Sequence, residues 1–184
     1  MRTINFFILF FLSACSNFNE VKKISSYYNI DSLLNSQIII LPNSNDLQKE
    51  VTWNSKSEKS NFSPRNFDWQ KELNVFNQID INQVSNKSLY EVLSKDNLIE
   101  YKKLVDEEGI ISIEITFDSN DKPKSIVAYG IKKNFLFNSY RNYNLSFDSI
   151  GNLTNYLFED KQIRIFNDTL LYKVYGNIIW QPSK

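Results

Sequence analysis

Ile111–Ser112–Ile113–Glu114–Ile115–Thr116–Phe117 sets Ile111, Ile113, Ile115 and Phe117 on one side of the chain and Ser112, Glu114 and Thr116 on the other. A period of two is the mark of a strand with one buried face. Asp118–Ser119–Asn120–Asp121–Lys122–Pro123 follows as a turn, because Asp, Asn and Ser bond their own backbone and Pro presets a bend. Downstream the pattern repeats. Strands are expected over 125–132, over 135–147 (one long strand or a pair), and over 153–158 after the turn Asp148–Asn152. Two more are expected over 162–166 and 170–179, around Asn167–Asp168. Five or six strands joined by tight turns predict an antiparallel meander.

Upstream the period changes. Ile30, Leu34, Ile38 and Leu41 recur at spacings of four, four and three, one face of a helix over 27–41 that Pro42 ends. Residues 47–57, where Val51 and Trp53 alternate with polar neighbours, read as a strand. Asp68 is a good N-cap for a second helix whose apolar stripe is Trp69, Leu73, Phe76 and Ile79. The expected fold class is α+β: two N-terminal helices followed by the meander, in a single domain over 27–184.

Residues 1–26 stand apart from that domain. Arg2, the apolar run Phe6–Leu12 and a small-residue exit have the layout of a secretory signal. The run falls well short of the about 20 apolar residues that span a bilayer. Leu12–Ser13–Ala14–Cys15 resembles the lipobox of bacterial lipoproteins, and Cys15 is the sole cysteine of the chain. The resemblance implies a signal peptide over 1–14, lipid on the Cys15 thiol and a short tether to residue 26. Such a tether spans only about 15–20 Å when flexible, so the domain is expected to sit against the membrane. Surface lipoproteins of the phylum Bacteroidota are expected to carry an acidic cluster after the lipidated cysteine. Here Glu20 is the single acid and Lys22–Lys23 follow. Ser16 stands where inner-membrane retention uses Asp. The expected location is the outer membrane with the domain facing the periplasm, the cell surface being the alternative.

Composition narrows the chemistry. The 184 residues hold 21 Lys+Arg against 21 Asp+Glu and no His. A balanced charge gives no basic excess for nucleic acid. Without His the commonest general base and metal ligand are missing, and one Cys excludes an intrachain disulfide and a cysteine zinc site. No cofactor or metal is expected. The acidic run Asp106–Glu107–Glu108–Gly109 and the Asp118–Asp121 segment lack the alternating oxygen ligands of a calcium loop and read as solvated turns. Two carboxylates across a cleft would allow glycosidase-type hydrolysis, though spacing alone does not place them.

The aromatics Tyr129, Tyr140, Tyr143, Tyr156, Tyr172, Tyr175 and Trp180 gather in the sheet half. They pack a half-buried sheet, or they line a concave face for an apolar or sugar ligand. Ile115–Ser119 and Leu145–Ser149 lie 30 residues apart with similar patterns, and 147–154 resembles one unit of the YD-type repeats of large secreted proteins. One unit makes no array, and Asp and Gly are what hairpin turns require.

With 24 Asn, 21 Ile and two Ala, the bias matches an AT-rich genome. The order of segments resembles a small lipoprotein family of Bacteroidota without assigned function: Gln37–Leu41, Lys49–Glu50–Val51, then Asp68–Trp69–Gln70–Lys71–Glu72–Leu73 with Phe76 and Asp80–Ile81–Asn82. The resemblance implies location rather than activity. It also raises three O-glycosylation tripeptides of that phylum's type, Asp31–Ser32–Leu33, Asp148–Ser149–Ile150 and Asp168–Thr169–Leu170. Ser149 and Thr169 are favoured over Ser32, because turns expose a hydroxyl. The expected function is a non-enzymatic, membrane-anchored binding or assembly module for a protein, lipid or glycan partner. The alternative is a carboxylate-based envelope hydrolase.

Overall fold

The structure, a computed structural model, describes residues 27–86, 88–105, 107–165 and 168–180. Its chain order is α1 (Ile30–Ile40), β1 (Asp46–Trp53), β2 (Lys56–Phe62), α2 (Trp69–Leu73), β3 (Tyr90–Lys95), β4 (Leu98–Lys103), β5 (Gly109–Phe117), β6 (Pro123–Lys133), β7 (Phe137–Phe147), β8 (Leu153–Arg164) and β9 (Thr169–Ile179). Every strand pairs antiparallel with its neighbours in one nine-stranded sheet, ordered β2-β1-β9-β8-β7-β6-β5-β4-β3. β1 closes against β9, the last strand, from Asp46↔Ile179 to Trp53↔Tyr172.

The α+β expectation, two helices and then five or six strands, is overturned: the domain is mainly β. A hairpin precedes the second helix, and that helix is only five residues long before it tightens into a 3-10 segment, Asn74–Ile79. The spacing of three from Leu73 to Phe76 to Ile79 is the 3-10 period rather than the α period. β2, β3 and β4 are additional to the strands expected. β2, Lys-Ser-Glu-Lys-Ser-Asn-Phe, is exposed throughout and is held by its ladder to β1 as an edge strand, so no hydrophobic period announces it. β3 is likewise exposed beyond Tyr90. The expected breaks at 158–162 do not occur, and β8 runs on through Glu159, Asp160 and Lys161.

The deciding stretch carries its own correction. Register slips between Ile110 and Ser112, so Ile111 is the extra residue of a β-bulge. The core face of β5 is therefore Ile110, Ile113 and Ile115, with Phe117 packed at its edge, and Ile111 lies outside the core cluster. Ile113, Ile115, Ile126, Leu145, Tyr143 and Tyr156 join Leu34, Leu41, Leu73, Phe76 and Ile79 in one core between the sheet and the two helices. Gln37, buried on α1, donates to the Gly151 carbonyl (3.1 Å) and accepts from Leu153 N–H (2.8 Å), docking the helix on the β7–β8 turn.

The two turns 30 residues apart share one geometry. Asp118 accepts from the N–H groups of Asn120 and Lys122, and Asp148 from those of Ile150 and Asn152. The fourth residue of each is left-handed, Asp121 at φ 59° and Gly151 at φ 94°. A register slip precedes each, at Thr116/Phe117 and Ser146/Phe147.

Candidate functional site

Strand alternation places Lys49 of β1, Tyr156 and Phe158 of β8, and Tyr172 and Val174 of β9 on the helix-covered face. α2 crosses above them and leaves an open cavity of about 460 Å³ between itself and the sheet, with Phe67, Val75 and Phe76 in its wall.

Glu72 of α2 is the polar centre. Its Oε2 accepts from Lys49 Nζ at 2.6 Å and its Oε1 from the Tyr156 hydroxyl at 2.7 Å. One carboxylate therefore ties the helix to both β1 and β8. Lys49 also lies 5.7 Å from the Phe67 ring centre, within cation–π range. Burial raises the Tyr156 hydroxyl far above the usual phenol range, and the Glu72 charge adds to it; Tyr172 moves up for the same two reasons. Asp68, on the rim, spends its carboxylate capping Lys71 N–H at 3.0 Å.

Rings run from the cavity toward the end of the sheet. Phe76 meets Tyr143 and Tyr156 edge-on, Tyr143 meets Phe158 at 5.2 Å, Phe158 meets Tyr172 at 6.3 Å and Tyr172 meets Trp53 at 5.8 Å. The track passes a second polar cluster. Buried Ser139 donates to Asp160 at 2.5 Å, Gln162 donates to the same carboxylate at 3.0 Å, and Arg141 bonds Ser139 and Gln78. A carboxylate shared in this way supports charged residues on an inward face.

The aromatics singled out in the sequence divide between the two faces. Tyr143, Tyr156 and Tyr172 come together under α2, while alternation sends Tyr129, Tyr140 and Tyr175 to the opposite face. Trp180 donates to the Leu153 carbonyl at 2.8 Å. Ser149 lies exposed in the β7–β8 turn, Thr169 exposed as the first residue of β9, and Ser32 exposed in the first turn of α1. Cys15, the signal segment 1–14 and the tether 15–26 lie outside the described residues. Glu107 and Glu108 are exposed loop residues. Sequence reading missed Lys49, Phe67, Glu72 and Phe158 as a group; a lysine at the inward period of a strand that also carries Leu47 and Val51 is the one signal it offered.

No protein-family model, curated protein or solved structure matches the chain.

Proposed function

We propose that the chain is a lipid-anchored envelope protein, held at the outer membrane through Cys15 with its domain in the periplasm, and that it binds an amphipathic small molecule without catalysis. The cavity under α2 carries this reading. Its aromatic and aliphatic wall suits an apolar body, and Lys71 at its edge offers a cation to a hydroxyl-bearing or acidic head. Both oxygens of Glu72 are engaged by Lys49 and Tyr156 and Asp68 caps its helix, which favours binding over acid–base chemistry.

The test is a titration with cis-parinaric acid, an apolar chain with a carboxylate head. Saturable fluorescence is expected, and Tyr172→Ala should weaken binding about tenfold, the equivalent of about 1.4 kcal/mol. Equal affinity in the variant would remove the cavity from the argument. The anchor has its own test. Intact mass of protein from the native host should show cleavage before Cys15 with acyl chains added, and hexose-type mass that disappears with Ser149→Ala and Thr169→Ala. Cys15→Ser should leave the protein uncleaved or soluble and abolish its detergent-phase partitioning; unchanged partitioning counts against the anchor.

A further inference from the structure

In a meander, alternate hairpin tips lie at the same end of the sheet. The register here puts the β1–β2, β8–β9, β6–β7 and β4–β5 connections at one end: Trp53 pairs with Tyr172, Ile163 with Thr169, Phe137 with Arg164, and Gly109 with Ile131. The Ile165 N–H donates to the Leu136 carbonyl, and that of Asn54 to the Leu171 carbonyl. The β3–β4, β5–β6 and β7–β8 turns occupy the opposite end.

The two ends differ in chemistry. Every tip of the first end exposes a large apolar side chain: Trp53, Leu104 with Val105, Phe135 with Leu136, and Ile165. Phe135 is 90% exposed. Each tip is flanked by cations, Lys56, Lys102–Lys103, Lys132–Lys133 and Arg164. Among the described residues its acids are Glu107 and Glu108, plus Asp168, which pairs with Arg164 at 3.7 Å. The turns of the other end are Asp96–Asn97, Asp118–Lys122 and Asp148–Asn152, with Ile150 as their one exposed large apolar residue among the described residues.

We infer that this apolar, cation-flanked rim docks on the surface of a lipid bilayer and turns the mouth of the cavity toward it. Neighbouring tips are two strands apart, about 10 Å, so the four span about 30 Å. A fluid surface accepts side chains at that spacing, with apolar tips among the acyl chains and Lys and Arg reaching the phosphates. The chain reaches the domain beside the rim. Tyr27 donates its hydroxyl to the Asn86 carbonyl, and Asn86 in turn bonds Leu89, which leads into β3 and pairs with Leu104. From Cys15 to Tyr27 the chain stretches at most about 40 Å, so a lipid on Cys15 keeps the rim within reach of the membrane. The Trp53–Tyr172 contact links rim to cavity.

This orientation rests on the proposed anchor, and the experiment separates the two. Full-length acylated protein carrying Trp53→Phe together with Phe135→Trp, or with Ile150→Trp at the opposite end, is placed in phosphatidylethanolamine–phosphatidylglycerol vesicles with brominated chains, and the signal of the Trp53→Phe protein without an introduced tryptophan is subtracted. Quenching of the tryptophan introduced at position 135 is expected to exceed that at position 150 at least threefold, and adding Leu136→Asp should abolish the difference. Equal quenching at the two positions, or quenching at 150 alone, overturns the rim. So does a tryptophan at 135 that stays unquenched while that tip cross-links to a second protein. Intact mass on the same sample reads the anchor independently: a chain without acyl groups sinks the anchor while the quenching ratio still reports on the rim.

Discussion

Gly176→Ala is expected to destabilise the domain by about 3 kcal/mol and to lower its melting temperature by about 6–12 °C. Gly176 pairs with Tyr156 across β8 and β9, and the Tyr156 ring lies over the bare Cα. A Cβ built there would stand 2.1 Å from two ring carbons and 2.5 Å from the hydroxyl oxygen, a distance no pair of non-bonded atoms tolerates. Tyr156 borders the cavity and could yield only by giving up its Glu72 bond and its seat against Phe76. It is 1% exposed, its ring meets Phe76, and its hydroxyl is bonded to Glu72. Glycine beneath an aromatic ring is a recognised way of seating a ring on a sheet. The cost should depend on that ring, so a double-mutant cycle is decisive. In a Tyr156→Ala background, Gly176→Ala should cost little more. A loss below about 1 kcal/mol in the parent, measured by urea unfolding, would show that the ring is not fixed as described.

Legibility in the sequence tracked how local each cause is. Alternation at 111–117 and the Asp turns at 118 and 148 act within a few residues, so the sheet and two of its hairpins could be read directly. The bulge at Ile111 could not, because the register of β6 imposes it. β2 escaped because an edge strand buries almost nothing and is held by backbone bonds to β1. No interruption falls at Asp160, because Ser139 and Arg141 of β7 and Gln162 of β8 itself satisfy its charge on the inward face. The cavity was the least legible part. Lys49, Glu72 and Tyr156 are far apart in the chain and meet only because β1 closes against β9. A glycine inside a strand such as Gly176 permits a close approach, but only the topology names Tyr156 as what approaches.

Above pH 10 the domain is expected to lose stability progressively as pH rises, chiefly through Tyr90 and Tyr156. Burial raises the hydroxyls of Tyr28, Tyr101, Tyr143 and Tyr156 above the ordinary phenol value, and pushes Tyr90 up to about 12. Tyr90 donates to the Ile110 carbonyl at 2.7 Å, Tyr101 accepts from the Tyr28 N–H at 3.0 Å, and Tyr156 donates to a carboxylate that would repel a phenolate. The folded pKa values lie above the unfolded value near 10, so this contribution is intact below pH 10. Past that point the unfolded chain releases protons that the native state retains, and stability falls as pH rises. Each such tyrosine adds at most about 1.4 kcal/mol per pH unit. Tyr90 and Tyr156, whose shifts are the largest, carry most of this loss, a substantial part of the about 10 kcal/mol typical of a domain. Phenolate absorbance at 295 nm from the buried set should therefore appear in step with the loss of far-ultraviolet β-sheet signal. Ionisation of all ten tyrosines while the sheet signal persists would show that the rings under α1 and α2 are open to water.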